Sequence, residues 1–282
     1  MDYSSYKLAA CQTIPHAGLH MISHLINLHP AMTMVGISVN GIEGLSDSAC
    51  EKEVDEFLSG KIDEEILKQE LLVSLNNRHL LKINPNASKK YLFIVSHVKA
   101  HFIENNPAKI CVQDVVDKIN LLQIIPLRDP LLVVCTGLIL GGKHSDATER
   151  DLRITRMGFN FVLNTKLNTF FLPIDLLATQ SVDQRVETIR KLCEDFLGIA
   201  TSDNYKDTTN SWTKRHPTDI TNPIYWNGSI PESILKCKEM LLRGENPWGI
   251  HPIVDRELEY YKNLSSLKKL FKSIGYENLA WF

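Results

Sequence analysis

The chain has 282 residues, 44% of them hydrophobic and 23% charged, with a net charge of −2 at pH 7. That is enough for one large domain with a sizeable core, and the near-neutral balance gives no electrostatic ground for nucleic acid or an anionic membrane as partner. No apolar run reaches the roughly 18 residues of a membrane span, and no basic and apolar leader opens the chain. The six cysteines (Cys11, Cys50, Cys111, Cys135, Cys193 and Cys237) form no Cys-x-x-Cys pair. They read as buried free thiols of a reducing, cytoplasmic compartment.

In chain order, Lys7–Ile14 is a short apolar run with the length of a buried strand. Pro15-His-Ala-Gly18 is a tight turn, and Leu19–His29 has helical spacing up to Pro30. Thr33–Ser38 reads as a second strand, followed by a polar, Gly-containing loop. The spacing predicts one helix over about 49–76, a turn over 83–90 and a strand over Tyr91–Val98, rich in β-branched and aromatic residues. A short helix is expected around Gln113–Asp117, then a buried strand over Ile119–Leu127 ending in Arg128-Asp129-Pro130. A helix apolar all round follows over Leu131–Leu140, ended by Gly141-Gly142. A long amphipathic helix is predicted over 146–167 and a strand over Thr169–Ile174. Ser181…Gln184 forms a capping box that opens a helix running toward Phe196-Leu197-Gly198. The stretch Asp203–Trp212 is polar. Two helices close the chain, about 231–243 and 255–273, with Gly275 as end cap of the second.

Strands alternating with helices imply an α/β fold, with a mostly parallel central sheet flanked by helices on both faces and a helical C-terminal part. The whole chain is expected to form a single domain. Ligands on such sheets bind beyond the C-terminal ends of the strands, where the loops Pro15–Gly18, Val98–Phe102 and Arg128–Pro130 all lie. A strand, Gly turn and helix gathers unpaired N–H groups at the positive end of a helix dipole, a point suited to phosphate-like anions. No Gly-Lys-Ser/Thr is present, which disfavours a P-loop kinase. His16, His20 and His24 repeat every four residues, as do His97 and His101, but no Glu or Asp completes a zinc motif, so no metal is expected.

Three residue sets then line up in order. Pro15-His-Ala-Gly-Leu-His20…His29-Pro30 resembles the 5′-phosphosulfate loop of the sulfotransferases that use 3′-phosphoadenosine 5′-phosphosulfate (PAPS). Val98-Lys-Ala-His101 is similar to the Val-Lys-Thr-His segment of the cytosolic members, and Arg128 followed eight residues later by Thr136 is similar to their 3′-phosphate motif. Phe171–Leu176 through Phe196-Leu-Gly198 resembles a further family segment, so that the resemblance spans about residues 7–200.

The resemblance implies transfer of a sulfuryl group from PAPS to a hydroxyl or nitrogen of a small soluble acceptor, with 3′-phosphoadenosine 5′-phosphate (PAP) as the other product. His101 would be the general base, with His16 and Lys99 as further catalytic candidates and His97 as a second candidate base. Pro15, His16, Ala17, Gly18, Leu19, His20, Arg128 and Thr136 would hold the donor, helped by the late basic residues Lys214 and Arg215. His16, Ala17 and Leu19-His20 stand where the family has a cation, a serine and a threonine pair; the backbone donors survive these changes, the side-chain contacts do not. Asp175 reads as structural. The small size and the divergent loop suggest tailoring of bacterial secondary metabolites, and a homodimer is compatible with this reading. The alternative is a catalytically inactive nucleotide-binding or interaction protein on the same fold.

Overall fold

The computed structural model describes residues 3–37, 48–77, 89–98, 110, 112–140, 145–165, 168–205, 232–245, 259–277 and 279. Its strands are β1 (Tyr6–Thr13), β2 (Met32–Gly36), β3 (Lys90–His97), β4 (Gln123–Leu127) and β5 (Thr169–Pro173). All four pairings are parallel and the order is β2–β3–β1–β4–β5. The α/β expectation therefore holds. Strands covered on both faces have no solvent side to pattern, which is why β1 and β3 are continuous apolar runs rather than alternating ones.

The helices are α1 (Leu19–Leu28), α2 (Ser48–Leu58), α3 (Glu64–Asn77), α4 (Val112–Ile119), α5 (Pro130–Leu140), α6 (Ser145–Asn164), α7 (Ile174–Thr179), α8 (Val182–Arg190), α9 (Glu232–Leu242) and α10 (Ser265–Ser273). On one face of the sheet Ala9, Cys11 and Ile124 pack with Ile22, Leu25 and Ile26 of α1 and Ile189 of α8. On the other face, Leu8, Ala10 and Ile94 meet Val54, Leu71 and Val115 of α2, α3 and α4. Ile125 and Leu127 of β4 alternate onto that second face. There they join Val133 of α5, Phe159 of α6, Cys237 of α9 and Phe271 of α10.

Three boundaries depart from the sequence expectation, each for a local reason. The helix expected over 49–76 is two: Gly60 takes a left-handed φ of 79°, and Asp63 restarts the chain by accepting the Ile66 N–H at 2.9 Å. The strand expected from Ile119 begins only at Gln123. Ile119 closes α4, and Asn120 turns left-handed (φ 51°) while donating its N–H to the Val116 carbonyl at 2.8 Å. The helix expected over 255–273 is interrupted at Leu264, whose φ of −89° and ψ of 78° leave the helical region. The capping box at Ser181 and Gln184 is present, and the helix it opens widens into a π-helical turn over Lys191–Leu197 before Gly198 (φ 66°) ends it. The turn over 83–88 and Gly141-Gly142 lie outside the described residues.

Candidate functional site

The connection from β1 leads to β2 on one side of the sheet, and that from β4 leads to β5 on the other. The crevice outside β1 and β4 is therefore the topological switch point, where open parallel sheets bind ligands. The loop after β1 and Arg128 after β4 both open onto it.

The loop is a tight turn in which the Ala17 N–H reaches the Ile14 carbonyl at 3.0 Å. Two left-handed residues, one on each side of Ala17, shape it. His16 is left-handed at φ 64°, a conformation that costs a non-glycine residue about 1–3 kcal/mol. Gly18 follows at φ 103° and serves as the N-cap of α1. A side chain at Gly18 would be strained by that φ, and its Cβ would come 3.0 Å from Ile174 Cγ2. With Gly18 as cap, α1 has no side-chain hydrogen bond at its N-terminus and no acidic residue in its first turn. The N–H groups of Leu19, His20 and Met21 thus have no partner within the helix. Pro15, Ala17, Gly18 and Leu19 are buried and His16 half-buried. The His16 ring lies against α5, where Gly137 leaves room for it: a Cβ there would sit 3.5 Å from His16 Cδ2.

Arg128 is 1% exposed. It is neither a surface group nor a partner of Asp129, but the hub of a buried network. Its Nε donates to Asp175 Oδ1 at 2.9 Å, and its Nη1 donates to Thr136 Oγ1 at 2.9 Å and to the His16 carbonyl at 3.3 Å. The eight-residue spacing thus becomes a direct bond between strand end and helix, and Arg128 also fixes the strained peptide of the loop. Its Nη2 is buried without a hydrogen-bond partner. A buried guanidinium N–H left unsatisfied is costly unless something completes it. Thr136 passes its own proton to the Leu132 carbonyl, 2.7 Å away.

Around this hub the charges alternate. Asp175 Oδ2 accepts the Asp129 N–H at 2.7 Å and the Tyr276 hydroxyl at 3.4 Å. Asp129 Oδ1 caps α5 through the Leu131 N–H at 2.9 Å, and its Oδ2 accepts from Lys238 Nζ of α9 at 2.6 Å. Burial pushes the Asp175 carboxyl up from its ordinary value, and Arg128 pulls it back down. Burial also holds the Tyr276 hydroxyl well above its ordinary value, so it stays a donor. Asp175 thus ties the Arg128 side chain to the Asp129 backbone.

At the end of β3, His97 lies beside the loop. Its Nδ1 is 3.0 Å from Thr13 Oγ1 and 3.3 Å from the Thr13 carbonyl. Of the other residues singled out, His20 falls in the first turn of α1. Lys99, His101, Lys214 and Arg215 lie outside the described residues. Sequence reasoning missed Lys238 and Tyr276 as partners of Asp129 and Asp175; no local pattern carries them, since they come from a helix and a turn more than a hundred residues away in the chain.

A strained loop, an uncapped helix start and a spare guanidinium N–H can together meet oxygens of a ligand that carries more than one anionic group. Among the described residues no group of three or more His, Cys, Asp or Glu side chains could hold a metal ion, and no described helix is long and apolar enough to cross a membrane. The chain matches no protein-family model and no curated protein by sequence.

Proposed function

We propose that the protein binds PAPS across the β1–β4 crevice and transfers its sulfuryl group to a hydroxyl or nitrogen of a small acceptor, as a cytoplasmic sulfotransferase. The observation that carries this reading is the Arg128–Thr136 bond, made at the spacing of the family's 3′-phosphate motif and tied through the His16 carbonyl to the loop that resembles its phosphosulfate site. The loop and the start of α1 would hold the 5′-phosphosulfate through backbone N–H groups, whose partial charges meet the negative charge that builds on the leaving oxygen. Arg128 Nη2 would face the 3′-phosphate, which would give the unsatisfied donor its acceptor, while Thr136 would hold the guanidinium in place from its other side. His16 supplies a cation to this end only when protonated. The resemblance gives the acceptor's proton to a histidine after β3, His101. Lys99, Lys214 and Arg215 would add positive charge.

Because Arg128 anchors the fold, the test changes the ligand rather than the arginine. Calorimetry on the wild-type protein compares PAP with adenosine 5′-monophosphate, which lacks the 3′-phosphate. Micromolar PAP binding, weakened at least tenfold for the monophosphate, supports the reading, since charged hydrogen bonds are each worth about 1.5–3 kcal/mol. Absence of PAP binding overturns it. PAP binding without release of PAP from PAPS favours the nucleotide-binding, inactive alternative.

A further inference from the structure

We infer that Cys135 and Cys237 form a redox site, in which a hydroperoxide converts the pair to a disulfide that clasps α9 to α5 and a dithiol reverses it. Three observations carry it. The first is contact. Both cysteines are free thiols, and the two side chains are hydrogen-bonded to each other. Ile234, Cys237 and Leu241, spaced three and four residues apart, are the buried face of α9. That face shares one core with Val133, Cys135 and Leu138 of α5. Side chains that meet in a hydrogen bond already point at one another, the requirement that most cysteine pairs fail, and only closure of the sulfurs to about 2.05 Å remains. The second observation is that the two helices are pinned beside the pair. Lys238, the residue after Cys237, donates to Asp129 Oδ2 at 2.6 Å, and Asp129 caps α5 through the Leu131 N–H at 2.9 Å. The register of α9 on α5 is thus set before any cross-link forms.

The third observation is an asymmetry between the two sulfurs. Cys135 is fully buried, whereas Cys237 is 3% exposed. The hydrogen bond from Cys135 lowers the Cys237 thiol from its ordinary value against the opposing effect of burial, while donating that bond, together with burial, raises Cys135. Cys237 is therefore the sulfur that reacts first and Cys135 the one that resolves. Burial pushes the Cys11 and Cys193 thiols up, which keeps those two inert. The outer side of α9 is exposed at Leu235 and Leu242, so a local opening of this helix admits an oxidant the size of hydrogen peroxide without unfolding the sheet.

In the first step the Cys237 thiolate attacks one oxygen of the hydroperoxide and the O–O bond breaks. The departing oxygen takes up the thiol proton and leaves as water or alcohol, and Cys237 becomes a sulfenic acid. The Cys135 sulfur then attacks the Cys237 sulfur, the S–O bond breaks, and the hydroxyl leaves as water with the Cys135 proton. The two thiols give up two electrons and two protons, and the hydroperoxide takes up both. The disulfide closes a loop of roughly 100 residues, a length at which cross-linking strongly restricts the unfolded chain. Neither step involves the donor site, so the inference stands apart from the sulfuryl-transfer reading.

The test treats the full chain with hydrogen peroxide at pH 7, maps the cysteines by mass spectrometry of an unreduced digest, and follows unfolding by calorimetry. The expected result is a peptide pair linked through Cys135 and Cys237, with Tm raised by roughly 4–8 °C and both changes undone by dithiothreitol. In Cys135→Ala, dimedone should trap a sulfenic acid at Cys237 and no link should form. In Cys237→Ala, Cys135 should stay unlabelled. The wild-type map decides the matter even if a variant fails to fold. Two thiols that persist in excess peroxide overturn the proposal, as does a link from either residue to another cysteine, or sulfinic acid at Cys237 without a link. A linked form whose Tm is unchanged or lowered overturns the clasp, and dimedone labelling of Cys135 in Cys237→Ala overturns the order of attack.

Discussion

Replacing Arg128 by Leu tests whether the network at the end of β4 supports the fold as well as the site. The substitution removes three hydrogen bonds donated by the guanidinium: one to the Asp175 carboxylate and two to uncharged acceptors, Thr136 and the His16 carbonyl. It also leaves the Asp175 carboxylate buried, with the Asp129 N–H and the Tyr276 hydroxyl as its remaining partners among the described residues. Removing one member of a buried ion pair costs about 3–5 kcal/mol, most of it from the stranded charge. For a chain of this size about 2 °C of Tm corresponds to each kcal/mol, so Tm at pH 7 should fall by roughly 6–10 °C. The pH dependence identifies the cause. Arg128 is what pulls the Asp175 carboxyl down against burial, so without it Asp175 holds a proton to higher pH when folded than when unfolded. A folded-state pKa raised in this way means that stability is gained on acidification, and the deficit should shrink between pH 8 and pH 5. Adding Asp175→Asn to Arg128→Leu should recover more than half of the loss. Calorimetric unfolding of the two single variants and the double variant measures all three. A cost below about 1 kcal/mol, or costs that simply add in the double variant, would refute the buried-pair reasoning.

Further expectations concern the loop, the helix beside it and one buried histidine. Gly18→Ala forces a side chain into φ 103° and toward Ile174 at 3.0 Å, so it should cost about 1–3 kcal/mol of stability, and PAP binding should weaken at least tenfold in calorimetry. Gly137→Ala meets only ordinary contact at 3.5 Å with the His16 ring and removes a glycine from a helix interior, so chemical denaturation should show a gain of about 0.5–1 kcal/mol. His29 accepts the Ala31 N–H on Nδ1 and donates from Nε2 to the Ala200 carbonyl, and burial holds its pKa below the ordinary value. A depressed folded-state pKa means stability is present above the unfolded value of about 6.5 and is lost as pH falls below it. His29→Gln should flatten the pH dependence of unfolding in that window.

The strands were legible because a parallel sheet buries both faces and writes itself as apolar runs. All five fall within a few residues of their expected positions. Where the sequence misled, a single backbone conformation decided the matter: Gly60, Asn120 and Leu264 each break an element across which the apolar spacing continues. The site was legible in part. Arg128, Thr136 and the Pro15–Gly18 turn were visible as residues of the right type at the right spacing. That Arg128 is wholly buried was not visible, because its burial depends on Asp175, Tyr276 and α9 arriving from distant parts of the chain.

The sheet order also governs when this protein can first become itself. The central strand β1 is made first, yet its contact with β3 spans 84 residues and its contact with β4 spans 111. At roughly 5–20 residues per second, a ribosome leaves the apolar run Tyr6–Thr13 with both edges bare for several seconds. Such edges are where neighbouring chains pair, and non-local pairing of this kind slows folding. During synthesis, then, the same segment that later organises the rim is the stretch most in need of a chaperone.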